Sequence, residues 1–377
     1  MTKISKILLT NFRNFSQKKL NFSKKLVCLF GENGVGKTNI LESITLLGRF
    51  SSLRGSDFEE MLFSKDENLA NQFSIYSEIL DHDFIEKVGI SFDKVKKKKN
   101  IQINEEILTS KRQSELKNQF INVIYLTPQI ESLFILGKSE RRDYLDKIVA
   151  DIDFNHNSRI NDYKKLLKER LLILQKYKFN NQKQSANKWL DIIEDKIVET
   201  GIAIASARIE AVDFFNKAIN SFSSNFPKTQ LQVTGDIEQM VMRQSSVLLE
   251  EFYKQKLREN REVDLENFKT NFGVHRSDFD AVFVLKKVLA TKSSTGEQKS
   301  IMISITLARA KISAIYKNQP TILIFDEVVS HLDEKRKNDL FEEIKMTNLQ
   351  TFFSVTSKSL IPQHYLENDV MEFVEVI

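Results

Sequence analysis

Short apolar runs and longer segments with helical spacing alternate along this chain of 377 residues. Clustered or alternating apolar residues, which are typical of strands, occur early in the chain at 4–9, 26–30, 73–80 and 84–92. Apolar residues from 40 to 47 recur at helical spacing instead. The first part of the chain is therefore predicted to be a mixture of strands and helices.

Beyond residue 131 the pattern changes. Apolar positions at 160–177 and at 193–219 each mark one face of a long helix. Apolar runs typical of buried parallel strands return at 321–325 and 352–355. The patterning predicts an α/β protein in which a helical insertion separates two halves of one sheet.

The segment from Gly31 to Thr38 matches the pattern G-x-x-x-x-G-K-[ST], between the strand at 26–30 and the helix that follows it. Glycines let backbone N–H groups wrap a phosphate chain, and the helix N-terminus adds a favourable field. Lys37 would reach the terminal phosphates and Thr38 would ligate Mg²⁺. We predict a nucleoside triphosphate site whose loop and helix start are Gly31, Glu32, Asn33, Gly34, Val35, Gly36, Lys37, Thr38 and Asn39.

An acidic pair, Asp326 and Glu327, follows the apolar run at 321–325 directly. The first carboxylate can hold Mg²⁺, directly or through water, and the second can polarise an attacking water. Such a pair is common by chance, so its meaning depends on its neighbours. Upstream lies the hydroxyl-rich helix start at 294–299 (STGEQK), a second potential anion site, and downstream lies the segment 330–333 (SHLD).

Composition changes this picture little. The formal net charge of +5 permits a polyanionic partner without locating a binding groove. A lysine-rich segment at 94–99 is predicted to be a hairpin tip, where a solvated turn is favoured over a DNA contact. No segment has the roughly 20 consecutive apolar residues that span a bilayer, and no export signal is visible, so we expect no membrane partner and a cytoplasmic location.

Four motifs in this order resemble those of the ABC-type ATPases: the phosphate loop, a signature helix of the S-x-G-E-Q type, the acidic pair and the S-x-L-D loop. The long helical insertion between them is similar to that of the SMC-like repair proteins. Several stretches resemble the bacterial RecF family in particular, and these are 9–15 (LTNFRNF), 34–44 (GVGKTNILESI), 139–146 (SERRDYLD), 273–278 (GVHRSD) and 294–299.

The resemblance implies an ABC-type ATPase head with mixed sheets around the phosphate loop and an inserted α-helical arm. Its expected divisions are 1–130 and 270–377 for the two halves of the head and 131–269 for the arm. It also implies an ATP-dependent homodimer that binds single-stranded and gapped duplex DNA and is a weak, DNA-stimulated ATPase. RecO, RecR and the RecA pathway are the implied partners, with roles in RecA loading and in SOS induction.

Roles for individual residues follow from the resemblance by matched position. Lys37 would hold the β- and γ-phosphates, Thr38 and Asp326 would support Mg²⁺, and Glu327 would be the general base. Ser294 and Gly296 would contact the γ-phosphate of the ATP bound to a second copy. The remaining implied positions are Asp333, which would position the opposite site, Gln129, which would sense Mg²⁺ and water, and Arg13, which would contact the nucleotide.

Some positions leave alternatives open. Thr356 stands where many ABC-type ATPases place a histidine, so slow turnover is expected. For His275, structural hydrogen bonding and a nucleotide-linked role are both compatible with the motif, and a surface role is an equal alternative for Arg13. A transporter subunit is disfavoured by the long insertion. A nuclease with a similar head is disfavoured because the chain stops some 50 residues beyond Asp326–Glu327, and a DNA binder with an inactive ATP site is disfavoured by the intact Lys37, Asp326 and Glu327.

Overall fold

Strands and helices follow the predicted alternation in a computed structural model that describes residues 2–48, 57–65, 68–81, 84–116, 121–179, 183–316 and 320–377. In chain order the strands are β1 Thr2–Phe12, β2 Phe15–Asn21, β3 Leu26–Phe30, β4 Ser64–Lys65, β5 Asn68–Leu69, β6 Gln72–Asp81, β7 Phe84–Asp93, β8 Lys98–Ile103, β9 Glu106–Ile107, β10 Asn122–Leu126, β11 Thr229–Thr234, β12 Asp278–Phe283, β13 Val288–Leu289, β14 Thr321–Asp326, β15 Gln350–Val355 and β16 Met371–Glu375.

The α-helices are α1 Lys37–Leu47, α2 Ser110–Leu116, α3 Pro128–Glu131, α4 Lys138–Ile152, α5 His156–Phe179, α6 Lys183–Asn220, α7 Asp236–Val241, α8 Ser246–Glu259, α9 Arg261–Asn267, α10 Thr295–Lys311, α11 Glu334–Thr347 and α12 Gln363–Glu367. Short 3₁₀ turns connect several of them, and one of these turns, Val328–His331, follows β14. None of the helices within the described ranges has the length and apolar character needed to cross a lipid bilayer.

The chain forms two compact units, of which the first contains residues 1–131, 221–226 and 302–377. Its central sheet is parallel throughout, in the order β10-β14-β15-β3-β16. Strands β14 and β15 are buried along their whole length, which explains their continuous apolar sequences. This confirms the prediction that the strand before the phosphate loop and the strands at 321–325 and 352–355 belong to one sheet.

A second sheet in this unit is antiparallel, in the order β2-β1-β6-β7-β8-β9. Its buried face and the inward face of α1 share one apolar core with Val27 and Leu29 of β3. Residues 94–97 of the lysine-rich segment form a hairpin tip as predicted, since Asp93 of β7 pairs with Lys98 of β8, and Lys98 and Lys99 lie in the strand itself. Cys28 lies on the opposite face of β3, and burial raises the pKa of its thiol to about 12.

The second unit contains residues 132–220 and 227–301. Helices α5 and α6 are the long helices that the periodicity predicts, and their buried residues include Tyr163 and Ile197. This unit also has a three-stranded sheet, β11-β12-β13. The sequence reading anticipated neither β11 nor β16. Strand β12 ends at Phe283, and Val284 and Leu285 beyond it are exposed.

Candidate nucleotide-binding site

The phosphate loop connects β3 to α1 and brings Lys37 into a fixed position. The Lys37 ammonium donates hydrogen bonds to the backbone carbonyls of Gly31 and Glu32, at 2.8 and 2.7 Å. Only 4% of Lys37 is exposed. Because its own loop surrounds the ammonium, the positive charge lies at the centre of the turn that the pattern predicts to wrap phosphate.

Two glycines let this loop turn as it does. Gly34 and Gly36 have φ values of +85° and +107°, where side-chain-bearing residues are rare. A β-carbon on Gly36 would lie 2.5 Å from Cζ of Phe15 and 2.6 Å from the amide nitrogen of Asn14. The turn between β1 and β2 therefore packs directly on the start of α1, and Gly36 is required on both grounds.

Asn14 in that turn binds the loop with both ends of its amide. Its nitrogen donates to the backbone carbonyl of Val35 at 3.0 Å, and its oxygen accepts from the Asn39 side chain at 2.8 Å. The sequence reading gave Asn14 no role of its own, although it lies inside the stretch at 9–15 that resembles the RecF family. A polar residue within a short turn gives no sign of its distant partners.

Arg13, beside it, is held by Glu42 of α1. Its guanidinium donates two hydrogen bonds to the Glu42 carboxylate, at 2.8 and 3.0 Å, and a third to the backbone carbonyl of Glu60 at 2.7 Å. These contacts give Arg13 a structural role and leave its side chain only 15% exposed, which differs from the surface role that the sequence left open. Its contact with a nucleotide stays a prediction.

The acidic pair lies at the same edge of the parallel sheet as the loop. Asp326 is the last residue of β14 and is 3% exposed. Its Oδ1 atom accepts hydrogen bonds from the hydroxyls of Thr38, at 3.2 Å, and of Ser354, at 2.5 Å. The structure thus brings together Thr38 and Asp326, which are 288 positions apart in sequence.

Glu327 follows in a left-handed backbone conformation, with φ of +59°. Its backbone N–H donates to the Ser354 hydroxyl at 2.9 Å and also lies 3.2 Å from the Ser354 carbonyl oxygen. Ser354 was missed by the sequence reading, because a serine in an apolar run signals nothing until its neighbouring strand is known.

Gln129 lies in α3, three residues beyond the end of β10. Strand β10 pairs with β14 in parallel, with Leu126 opposite Phe325, so Gln129 follows the same sheet edge as Asp326. Its side chain is exposed. Thr356, also exposed, directly follows β15 and lines a cleft of about 730 Å³ together with Gly31 and Glu32.

The signature residues belong to the second unit. Ser294 precedes α10, and its backbone N–H donates to the Glu297 carboxylate at 2.8 Å, which is one half of a capping box. Glu297 also pairs with Lys286 at 2.5 Å, and this pair, together with the Ser294 N–H, lowers the pKa of the Glu297 carboxyl to about 2. Gly296 is exposed, and a β-carbon there would meet nothing within 4 Å.

Asp333 caps α11, since its carboxylate accepts a hydrogen bond from the Arg336 N–H at 2.8 Å. His275 has a structural role: its ring nitrogens lie 2.8 Å from the Thr270 carbonyl oxygen and 3.1 Å from the Tyr163 hydroxyl. Burial lowers the pKa of His275 to about 4, so the ring is neutral at pH 7.

Comparisons with known proteins indicate one family for this chain. The family model described as RecF/RecN/SMC N terminal domain matches residues 3–363. DNA replication and repair protein RecF of Rickettsia canadensis (strain McKiel) is 33% identical over 355 residues, and that of Rickettsia bellii (strain OSU 85-389) is 31% identical over 350 residues. Each match covers 93% of this chain and 93% of the relative.

Solved structures agree. The recombination mediator protein RecF-ATPrS in the RecFOR pathway superimposes with a TM-score of 0.77 and 25% identity, over 99% of this chain and 96% of that one. An Smc head domain derived from Pyrococcus furiosus gives a TM-score of 0.52 at 16% identity, over 96% of this chain and 91% of that one, and this likeness shows the fold alone. The fold is therefore that of the RecF and SMC heads, as expected. A family model that spans nearly the whole chain, and relatives about one-third identical over almost their full length, show that the chain belongs to the RecF family of SMC-like ABC-type ATPases.

Proposed function

We propose that this chain binds ATP with Mg²⁺, closes as a homodimer on DNA, and hydrolyses ATP slowly to open again. The observation that carries the proposal is the contact between Thr38 of the phosphate-loop helix and Asp326 of the acidic pair. Solved RecF structures named with ATP and ATPrS support the choice of nucleotide. In this proposal the Lys37 ammonium and the N-terminus of α1 hold the phosphates.

The residues present fit a magnesium ion. Two oxygens that occupy adjacent positions around an octahedral Mg²⁺ lie about 3 Å apart, and the oxygens of Thr38 and Asp326 are separated by 3.2 Å. Within the described residues no group of three or more His, Cys, Asp and Glu side chains could hold a metal. Mg²⁺ takes few protein ligands and the rest from phosphate and water. Thr38 and Asp326 would hold the ion, Gln129 would approach it, and the ion would neutralise phosphate charge.

Glu327 is the proposed general base, which would accept a proton from the attacking water. Its backbone places it immediately after Asp326 at the sheet edge. Thr356 would face the γ-phosphate in place of a histidine, and a hydroxyl cannot stabilise a developing negative charge as an imidazolium does. Turnover is therefore expected to be slow, which suits a switch that resets rather than a motor.

The proposal of a homodimer rests on the signature residues Ser294 and Gly296. In the described part of the chain, Gly296 has no neighbour that requires a glycine, because a β-carbon there meets nothing within 4 Å. A glycine with no constraint from its own chain is suited to close approach by an outside group. We infer that Ser294 and Gly296 receive the γ-phosphate of the ATP bound to a second copy, and that Asp333 orients that copy's site.

The DNA and pathway roles rest on the family. Relatives are named as DNA replication and repair proteins, and a solved relative is named as a recombination mediator in the RecFOR pathway. By this relationship the chain would bind single-stranded and gapped duplex DNA in the cytoplasm, act with RecO and RecR in RecA loading, and contribute to SOS induction. The net charge of +5 is compatible with such a polyanion.

Sedimentation tests the proposal. Wild type and Glu327→Gln are each sedimented with ADP-Mg²⁺, with ATP-Mg²⁺, and with ATP-Mg²⁺ plus a gapped duplex. We expect ATP to convert monomer to dimer, DNA to co-sediment with the dimer, and the variant to hold the dimer longer. Glu342→Gln, a change at an exposed acid of α11, is the matched control. A wild-type chain that stays monomeric in every mixture would remove the composite site and the roles of Ser294, Gly296 and Asp333.

A further inference from the structure

Ser354 is a buried hydroxyl in the middle of the parallel sheet. It lies on β15, opposite Asp326 of β14 on one side and Leu29 of β3 on the other. It is fully buried, and its neighbours along the strand, Phe353 and Val355, are apolar and buried as well. A hydroxyl in such a place is costly unless it is hydrogen-bonded. Its bonds therefore indicate why a polar residue is found there.

Both bonds of Ser354 go to the acidic pair. The hydroxyl donates a hydrogen bond to Oδ1 of Asp326 at 2.5 Å and accepts one from the backbone N–H of Glu327 at 2.9 Å. One side chain thus connects the proposed metal ligand to the proposed general base. No other role for this hydroxyl is needed, since its proton and an acceptor position are used by these two residues.

The two bonds have different effects. At Asp326 the Ser354 proton and the Thr38 hydroxyl converge on the same carboxylate oxygen, which fixes the rotation of the carboxyl group. At Glu327 the bond holds the N–H of a residue whose φ of +59° is uncommon for a side chain of this size. Such conformations persist where surrounding contacts determine them. Removal of the hydroxyl would take one hydrogen bond from each of these two residues at once.

We propose that Ser354 is a positioning residue that sets the Asp326 carboxylate and the Glu327 backbone as one unit. This inference rests on the proposed ATPase function and deepens it. Ser354 touches neither substrate nor metal in this proposal, because its hydroxyl is engaged within the sheet. Its loss would weaken the Mg²⁺-dependent part of nucleotide binding and slow hydrolysis, while Mg²⁺-independent binding through Lys37 would remain.

The test compares Ser354→Ala with Ser354→Thr, which keeps the hydroxyl, and with Ser77→Ala as a matched control. Ser77 is also a buried serine on a strand, but its hydroxyl has no hydrogen-bond partner among the residues that the structure describes. Binding of a fluorescent ATP analogue is titrated with Mg²⁺ and repeated in EDTA, and steady-state hydrolysis is measured in parallel. Thermal melting records whether each variant is folded.

For Ser354→Ala we expect a rise of about tenfold in the Mg²⁺ concentration that gives half-maximal enhancement of analogue binding. A change of this size is typical when a partner of a metal ligand is removed. Hydrolysis should fall at least tenfold, with binding in EDTA within about twofold of wild type. Ser354→Thr should recover most of the Mg²⁺ dependence of binding and most of the hydrolysis rate. Ser77→Ala should change neither of these two quantities. In a Glu327→Gln background, Ser354→Ala should still shift the Mg²⁺ titration, because Asp326 is affected independently of the base.

Two results would overturn the inference. One is a Mg²⁺ titration and a hydrolysis rate for Ser354→Ala that match those of wild type. The other is equal impairment by Ser354→Thr and Ser354→Ala in folded variants, which would show that the hydroxyl is irrelevant. If Ser354→Thr fails to fold, the Mg²⁺ titration of Ser354→Ala against Ser77→Ala decides alone. A wild-type chain that binds no ATP would instead overturn the proposed function itself.

Discussion

The guanidinium of Arg13 forms a two-bond ion pair with the carboxylate of Glu42, which has no exposed surface. This pair connects the turn between β1 and β2 to the helix that follows the phosphate loop. Because Glu42 is buried, the nearby Arg13 guanidinium compensates the charge of its carboxylate. The geometry makes the pair a structural link between the antiparallel sheet and the nucleotide site.

Arg13→Ala is expected to lower the free energy of unfolding by about 3 kcal/mol, because it removes a charged partner that donates two hydrogen bonds to a buried carboxylate. Urea denaturation measures the change, with Lys19→Ala on the exposed face of β2 as control. In the double variant with Glu42→Ala the losses should be less than additive. Strictly additive losses would contradict the pairing, and a loss of ATP affinity with Arg13→Ala well beyond that with Glu42→Ala would support the expected nucleotide contact.

Asn14→Ala is expected to weaken ATP binding about tenfold, since it removes hydrogen bonds that hold Val35 and Asn39 of the loop and helix start. Calorimetric titration with a slowly hydrolysed ATP analogue measures the affinity. Gln17→Ala, an exposed position on β2, should leave it unchanged. An unaltered affinity for Asn14→Ala would show that the loop keeps its shape without this turn.

Gly296→Ala should weaken dimerisation without lowering the stability of the fold. A β-carbon at this position meets nothing within 4 Å, and alanine favours a helix over glycine by up to about 1 kcal/mol, so stability should be unchanged or slightly raised. ATP-dependent dimerisation in sedimentation should nevertheless fall, by about tenfold or more in affinity. Normal dimerisation of this variant would exclude a close approach of the second copy's phosphate.

Gly31→Ala, unlike Gly296→Ala, should lower the stability of the fold. Its φ is +152°, and a β-carbon there would lie 2.4 Å from the Val376 carbonyl oxygen, so the end of the chain must move. We expect a loss of about 2 kcal/mol in unfolding free energy. Stability equal to that of wild type would show that residues 376–377 do not pack against the loop in solution.

His275 should make stability depend on pH. Burial lowers the pKa of its ring from 6.5 to about 4, so the unfolded chain binds the proton more strongly than the folded chain. The folded state therefore loses stability as pH falls from about 6.5 towards 4. Relative to His275→Gln, wild type should lose about 2 kcal/mol more between pH 7 and pH 5 in urea denaturation. Parallel pH profiles for the two proteins would exclude this contribution.

The sequence predicted the elements that have local signatures. Continuous apolar runs identified β3, β14 and β15, and glycine spacing identified the loop and α1. Long helical periodicity identified α5 and α6 in the same way. Each of these signals lies within a single element, so it can be read without knowing what the element packs against.

What could not be predicted depends on contacts between distant segments. Asn14 and Ser354 acquire their roles from partners that lie at least 21 and at least 27 positions away in sequence. Strand β16 carries no motif, and only its pairing with β3 gives it a place beside the phosphate loop. For Arg13, nothing in the sequence indicated its buried partner, the carboxylate of Glu42, and its contact with a nucleotide stays a prediction.

Strand β3 lies between β15 and β16, and both neighbours come from the last part of the chain. About 320 residues separate Phe30 from Gln350, so at roughly 5–20 residues per second a ribosome needs some tens of seconds to supply them. During that interval an apolar strand with two open edges is exposed to other nascent chains. The candidate nucleotide site is thus among the last parts of the molecule to form, and a prematurely terminated chain would be prone to aggregate rather than to compete for nucleotide.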